Sequence, residues 1–198
     1  MQSYFFMDGD YCTREKAETL CSKYSDGLLQ VLGAGWVTTE FLKEKAPQIY
    51  CFLDSRAIAD IVHCAMIDKV KEVFDGLRPK VAILDGLGSL VLSVEDILVI
   101  RFKKLDLNLR PHNAKSQQQT NFKQQLIWPD LTNVTVGYKV DKTWEKYLGS
   151  YMVCEVGNDI KWKIQLPDID FGSLAIPDEL PIFGSPVIRK KLRIEEVS

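Results

Sequence analysis

Residues 132–166 read TNVTVGYKVDKTWEKYLGSYMVCEVGNDIKWKIQL, and the period of this stretch decides the fold. Val134, Val136, Tyr138 and Val140 alternate with Thr135, Gly137 and Lys139. Ile160, Trp162, Ile164 and Leu166 alternate in the same way with Lys161, Lys163 and Gln165. Successive side chains of a strand point to opposite faces, so a period of two gives each strand one apolar and one polar side. Residues 150–156 form a further run, and Gly157-Asn158-Asp159 supplies residues that tolerate the positive φ of a tight hairpin. The expectation is an antiparallel meander with one buried face and one wet, basic face.

Working outward, Val81 to Leu84 is a short apolar run ending at the turn signal Asp85-Gly86. From Ile97 to Lys103, one face holds Leu98, Ile100 and Phe102, and the other passes from apolar Ile97 and Val99 to basic Arg101 and Lys103. That pattern suits a strand leaving the core. Ser116-Gln117-Gln118-Gln119 has capping-box spacing, and Phe122 with Leu126 gives the helix behind it one apolar edge.

The N-terminal part has helical spacing instead. Thr13 caps a helix to about Tyr24, the glycines of Gly33-Ala34-Gly35 make a connection, and a short helix starts at Thr38 or Thr39 and ends at Pro47. After Asp54-Ser55, the apolar residues Ile58, Ile61, Val62, Ala65, Met66, Val70, Val73 and Phe74 hold one stripe, with Gly76 and Pro79 as stop signals. At the other end, Pro167, Pro177, Pro181 and Pro186 interrupt regular structure, before an alternating run from Ile188 to Ile194. Helices followed by strands predict an α+β fold in a single domain, 1–198. Within it, a helical layer (10–78) packs on a mainly antiparallel sheet (80–166), closed by an extended Pro-rich arm (167–198).

Length and charge narrow the function. A chain of 198 residues with 46% apolar residues can bury a sizeable core. The 25 Lys and Arg nearly offset the 27 Asp and Glu, so the whole molecule has no general attraction for nucleic acid or anionic membrane. No stretch reaches the roughly 18 uninterrupted apolar residues of a membrane span, and no secretory signal stands at the start, so no membrane partner is expected and the location reads as cytoplasmic. The five cysteines at 12, 21, 51, 64 and 154 are odd in number and lack C-x-x-C spacing, which predicts buried thiols rather than disulfides or a zinc ribbon. Of the four tryptophans, Trp162 falls on the buried strand face, Trp36 and Trp144 read as core or rim, and Trp128 is a candidate for an interface.

The charge is unevenly spread. Residues 101–125 carry Arg101, Lys103, Lys104, Arg110, Lys115 and Lys123 against Asp106 alone, a net +5, leaving −7 for the rest. His112, Gln118 and other amide side chains lie among them. Lys and Arg suit phosphates and amides suit base edges, so Arg101, Lys103, Lys104, Arg110, His112, Lys115, Gln118 and Lys123 are the binding candidates, for nucleic acid or an acidic protein partner.

Signals for catalysis are sparse. Asp60 and His63 stand three apart on a helix, but nothing completes a metal site around them. With two histidines and no G-x-S-x-G elbow, no hydrolytic triad is recognisable. Gly33-Ala34-Gly35 and Gly86-Leu87-Gly88 lack the third glycine of a nucleotide-binding loop. Pro129-Asp130 with Asp159-Ile160-Lys161 satisfies the bare PD-(D/E)xK pattern and resembles that nuclease family on these five residues. The resemblance implies that Asp130 and Asp159 hold a divalent metal and that Lys161 orients or activates water. The departure from the family is local: Asp159 reads as part of a hairpin turn, whereas the family places this acid inside a strand. Outside that resemblance no metal or cofactor is expected.

The leading expectation is therefore a binding or regulatory protein, of the kind found in bacterial regulatory or defence operons, rather than an enzyme. The alternatives are a metal-dependent nuclease or other enzyme on phosphate substrates, and a homodimer that exchanges its C-terminal arm.

Overall fold

In the computed structural model, which describes residues 11–77, 79–86, 89–111, 117–125 and 130–174, the described chain starts on one long helix, α1 (Arg14–Lys45). The Thr13 hydroxyl accepts from the Lys16 amide at its start. The sequence suggested two helices joined through Gly33-Ala34-Gly35, but the helix runs through them. The reason is packing. A Cβ on Gly35 would stand 2.7 Å from Val62 Cγ1, and one on Gly33 would stand 2.4 Å from Leu174 Cδ1. Missing side chains let α1 approach its neighbours on both sides, which offsets the roughly 1 kcal/mol that glycine costs a helix relative to alanine.

Pro47 follows the end of α1 and opens a single turn, α2 (Pro47–Tyr50), where its missing N–H is harmless. α3 (Ser55–Phe74) is capped by Asp54, whose carboxylate accepts from the Ala57 amide at 2.7 Å. Its buried stripe of Ile58, Val62, Ala65, Met66, Val70 and Phe74 is the one the spacing predicted.

Among the described residues six strands follow in a single sheet whose spatial order is the chain order. They are β1 (Val81–Gly86), β2 (Ser89–Val94), β3 (Leu98–Lys104), β4 (Thr132–Val140), β5 (Tyr147–Val156) and β6 (Asp159–Gln165), with α4 (Gln117–Lys123) between β3 and β4. All neighbours pair antiparallel except β3 and β4, which run parallel, with Ile100 beside Val134 and Phe102 beside Val136. A parallel pair needs a crossover of a dozen or more residues, and the connection carrying α4 supplies it.

The fold is α+β, as expected. α1 and α3 cover one face of the sheet, burying Leu28, Leu32, Met66 and Phe74 against Leu92, Leu98, Ile100, Phe102, Val136 and Met152. The second face is not uniformly wet. Phe122 of α4 packs there on Val91 and Val99, and Leu105 and Leu109 pack on Val153. This cover reaches Arg101 beneath Phe122, while β3 leaves the core only at its last two residues, the half-buried Lys103 and Lys104.

The start of the arm lies on its own chain. Ile169 and Phe171 pack on the main core, and Phe171 meets the Trp36 and Tyr147 rings at 6.1 and 5.1 Å between centroids. The rest of the arm, with the alternating run at 188–194 and the expected exchange between subunits, lies outside the described residues. Among the described residues no helix is long and apolar enough to cross a membrane. The thiols are free, but only Cys12, Cys21 and Cys154 are buried; Cys51 and Cys64 are exposed, contrary to the expectation of buried thiols throughout. Burial pushes the Cys21 and Cys154 thiols up to about 11 and about 12.

Candidate functional site

The basic window does not form one surface. Arg101 points from β3 into the second face and is only 6% exposed. Its Nε donates to Thr135 Oγ1 at 2.9 Å, and its guanidinium lies 4.0 Å from the centre of the Phe122 ring and 3.8 Å from Glu155 Oε2. Lys123 reaches the other oxygen of the buried Glu155, at 3.2 Å. Gln125 Nε2 donates to the carbonyls of Asn133 and Glu155 while its Oε1 accepts from the Asn133 amide at 2.6 Å. Two members of the window therefore clamp α4 and its exit onto the sheet. Burial pushes Arg101 down to about 10, with Glu155 opposing the shift. This corrects Arg101 as a contact for a partner: it is an interior charge with an interior counterion.

Lys104 projects to the opposite side of the strand. Its Nζ lies 4.0 Å above the Trp144 ring and donates to Ser55 Oγ at 3.3 Å. Lys103 is half-buried and held below the usual lysine range by burial, with Arg101 adding to the shift. Arg110 donates to the Asn158 carbonyl at 2.8 Å and ties its loop to the β5–β6 hairpin. Gln118 lies in α4, while His112, Lys115 and Trp128 lie outside the described residues.

What the fold builds instead is a cationic groove on the second face of β4, β5 and β6. One wall is the loop 105–111. There Asp106 Oδ1 accepts from the Asn108 and Arg110 amides at 2.8 Å each, and Leu105 bridges to Pro111. An acceptor serving two nearby amides folds the loop into a compact turn. The turn leaves Leu107 73% exposed at the groove mouth, beside Asn108. Lys139, Tyr151, Lys163 and Gln165 come from the strands, Arg14 from the start of α1, and the volume is about 680 Å³. Among the described residues three cations and no acid line it, and one of the three, Arg14, is paired with Glu18 at 2.8 Å. Tyr151 packs against Leu105, Leu109 and Val153, with Lys139 Nζ 5.7 Å from its ring centre.

An adjoining groove of about 880 Å³ shares Asn108 and adds Arg110, Asp159, Ile160 and Lys161. So Asp159 and Lys161 come together, and Asp159 opens β6 directly after the hairpin turn. Asp130 is exposed in the turn ahead of β4 and is not part of this lining. Among the described residues no group of three His, Cys, Asp or Glu side chains is placed to hold a metal ion. His63 on α3 is half-buried, its imidazole pushed down to about 4 chiefly by burial, with Lys103 adding to the effect.

The groove depends on one glycine. At Gly137 a Cβ would stand 2.4 Å from the Lys103 carbonyl and 2.5 Å from Leu105 Cγ, so only glycine lets the loop lie on the sheet. Gly137→Ala must push β3 or Leu105 away, and we expect a loss of about 1–3 kcal/mol, read by urea unfolding. A stability unchanged within about 0.5 kcal/mol would contradict this packing.

Arg14, Lys139, Tyr151, Lys163 and Gln165 were not among the binding candidates drawn from the sequence. The polar half of the alternation in residues 132–166 carries Lys139, Lys163 and Gln165, whereas Arg14 on α1 and Tyr151 have no local signal in the sequence. Compared with models of protein families, with curated proteins and with solved structures, the chain matches none.

Proposed function

We propose that the protein is a binding protein for a phosphate-bearing polymer, a nucleic acid, held on the second face of the sheet. The observation that carries this reading is the groove of Lys139 and Lys163, with Arg14 beside them, whose lining among the described residues holds no acidic side chain. Among the described residues neither Lys139 nor Lys163 has an ion-pair partner, so their charges are available to a ligand. Asn108 and Gln165 add hydrogen-bonding amides beside them. Arg110 and Lys161 add two cations in the adjoining groove, beside the carboxylate of Asp159. The molecule as a whole carries −2, which disfavours non-specific attachment elsewhere and concentrates attraction on this face. A cytoplasmic location goes with the reading, since unbonded cysteines persist in a reducing compartment.

Charge reversal tests it. Lys139→Glu with Lys163→Glu is expected to lower the affinity for a fluorescein-labelled oligonucleotide at least tenfold at about 50 mM salt, measured by anisotropy. The same reversal at Lys69 and Lys71 on α3 should leave affinity unchanged. Equal binding by the groove variant and the wild type would overturn the proposal, and so would tighter binding of polyglutamate than of the oligonucleotide.

A further inference from the structure

The groove is more than a patch of charge, because an aromatic ring lies in its lining among the cations. Tyr151 stands on β5, half-buried, against Leu105 and Leu109 of the loop. That support holds the ring in place, so little side-chain freedom is lost when a flat partner meets it. Lys139 Nζ lies over the ring, 5.7 Å from its centre, so a base can stack only once this flexible side chain swings off the face, where its charge is at hand for a flanking phosphate. Leu107, 73% exposed on the same loop, adds an apolar wall. Stacking needs an unpaired base, because in a duplex the faces of the bases are already covered by their neighbours. A groove built for a duplex backbone alone has no use for a ring and an apolar wall beside its lysines.

Resting on the nucleic-acid reading above, we infer that the groove selects single strands, with Tyr151 stacking one base between the loop 105–111 and Lys139. The selection is by stacking and charge, so it tolerates any base sequence.

The test compares a labelled oligodeoxythymidylate of about 15 nucleotides with a duplex of the same length at one salt concentration. The single strand is expected to bind about tenfold or more tightly. Tyr151→Phe keeps the ring and should retain that preference. Tyr151→Leu keeps apolar volume against Leu105 and Leu109, and it should reduce single-strand affinity about tenfold more than duplex affinity. Circular dichroism melting of Tyr151→Leu checks that it is folded. Equal affinity for the two forms, or a Tyr151→Leu variant with wild-type single-strand affinity, overturns the inference and leaves the charge-based proposal standing. Binding of neither form overturns both.

Discussion

Replacing Glu155 by leucine is expected to destabilise the protein by about 3–5 kcal/mol, the cost of leaving a buried charge without its counterion. The charge that loses this carboxylate is Arg101, 6% exposed beneath α4, with Glu155 Oε2 3.8 Å away. Thr135 accepts one of its N–H groups and Phe122 covers its face. Lys123 also loses a partner, yet its side chain reaches solvent, so its share of the loss is small. In a chain of this length the loss corresponds to a fall in Tm of about 6–20 °C. The companion variant separates charge from packing. Arg101→Met together with Glu155→Leu removes both charges and fills the space with apolar atoms, and it should recover most of the loss. A double variant as unstable as Glu155→Leu alone would show that the network acts through shape rather than charge.

Trp144→Ala carries the other large expected effect, about 3–5 kcal/mol. Trp144 sits in the β4–β5 connection with positive φ, 59°, a conformation that non-glycine residues adopt only under firm tertiary constraint. The constraints are visible. The ring is 1% exposed, its Nε1 donates to Ser55 Oγ at 2.8 Å, and it lies 6.1 Å from Tyr138. The Trp144 carbonyl accepts from Lys43 Nζ at 2.6 Å, so one residue joins the start of α3, the end of α1 and the sheet. Truncation opens a large cavity and removes the ring on which Lys104 rests. Trp144→Phe keeps most of the volume and loses the Ser55 bond, so it should cost much less, about 1–2 kcal/mol. Equal losses for the two variants, measured by chemical unfolding, would place the value of the residue in its hydrogen bond instead of its bulk.

Both residues show why the fold was more legible in the sequence than the site. The strands within residues 132–166 and the stripe on α3 are local signals and the structure has both, although β4 is buried on both faces and the bulge at Cys154/Glu155 turns Ile160 to the second face. Leu90, Leu92 and Val94 of β2 carried the same alternation, though no strand was assigned there from the sequence. The continuity of α1 could not be read, because Gly33 and Gly35 look like a connection until Val62 and Leu174 are seen to fill the space beside them. The parallel pairing of β3 with β4 is a tertiary choice that leaves no mark on either strand. The charges were legible only as a sum. Counting Arg101 and Lys123 in a basic window assumed that both face water, and the acid that draws them inward, Glu155, lies in a distant strand. Lys139 and Lys163 reach solvent for the complementary reason: alternation puts them on the second face, where the groove lining offers no acid to pair with them.

The dependence of binding on salt tests the nucleic-acid face most directly. For a single-stranded oligonucleotide, each neutralised phosphate contributes about −0.7 to the slope of log affinity against log salt concentration. With Arg14, Lys139 and Lys163 all engaged, the expected slope for the wild-type protein is about −2. Changing these three to alanine should bring it close to zero and weaken binding throughout. A wild-type slope near zero, or a slope that survives the triple substitution, would contradict the assignment of this groove as the site where the chain meets its ligand.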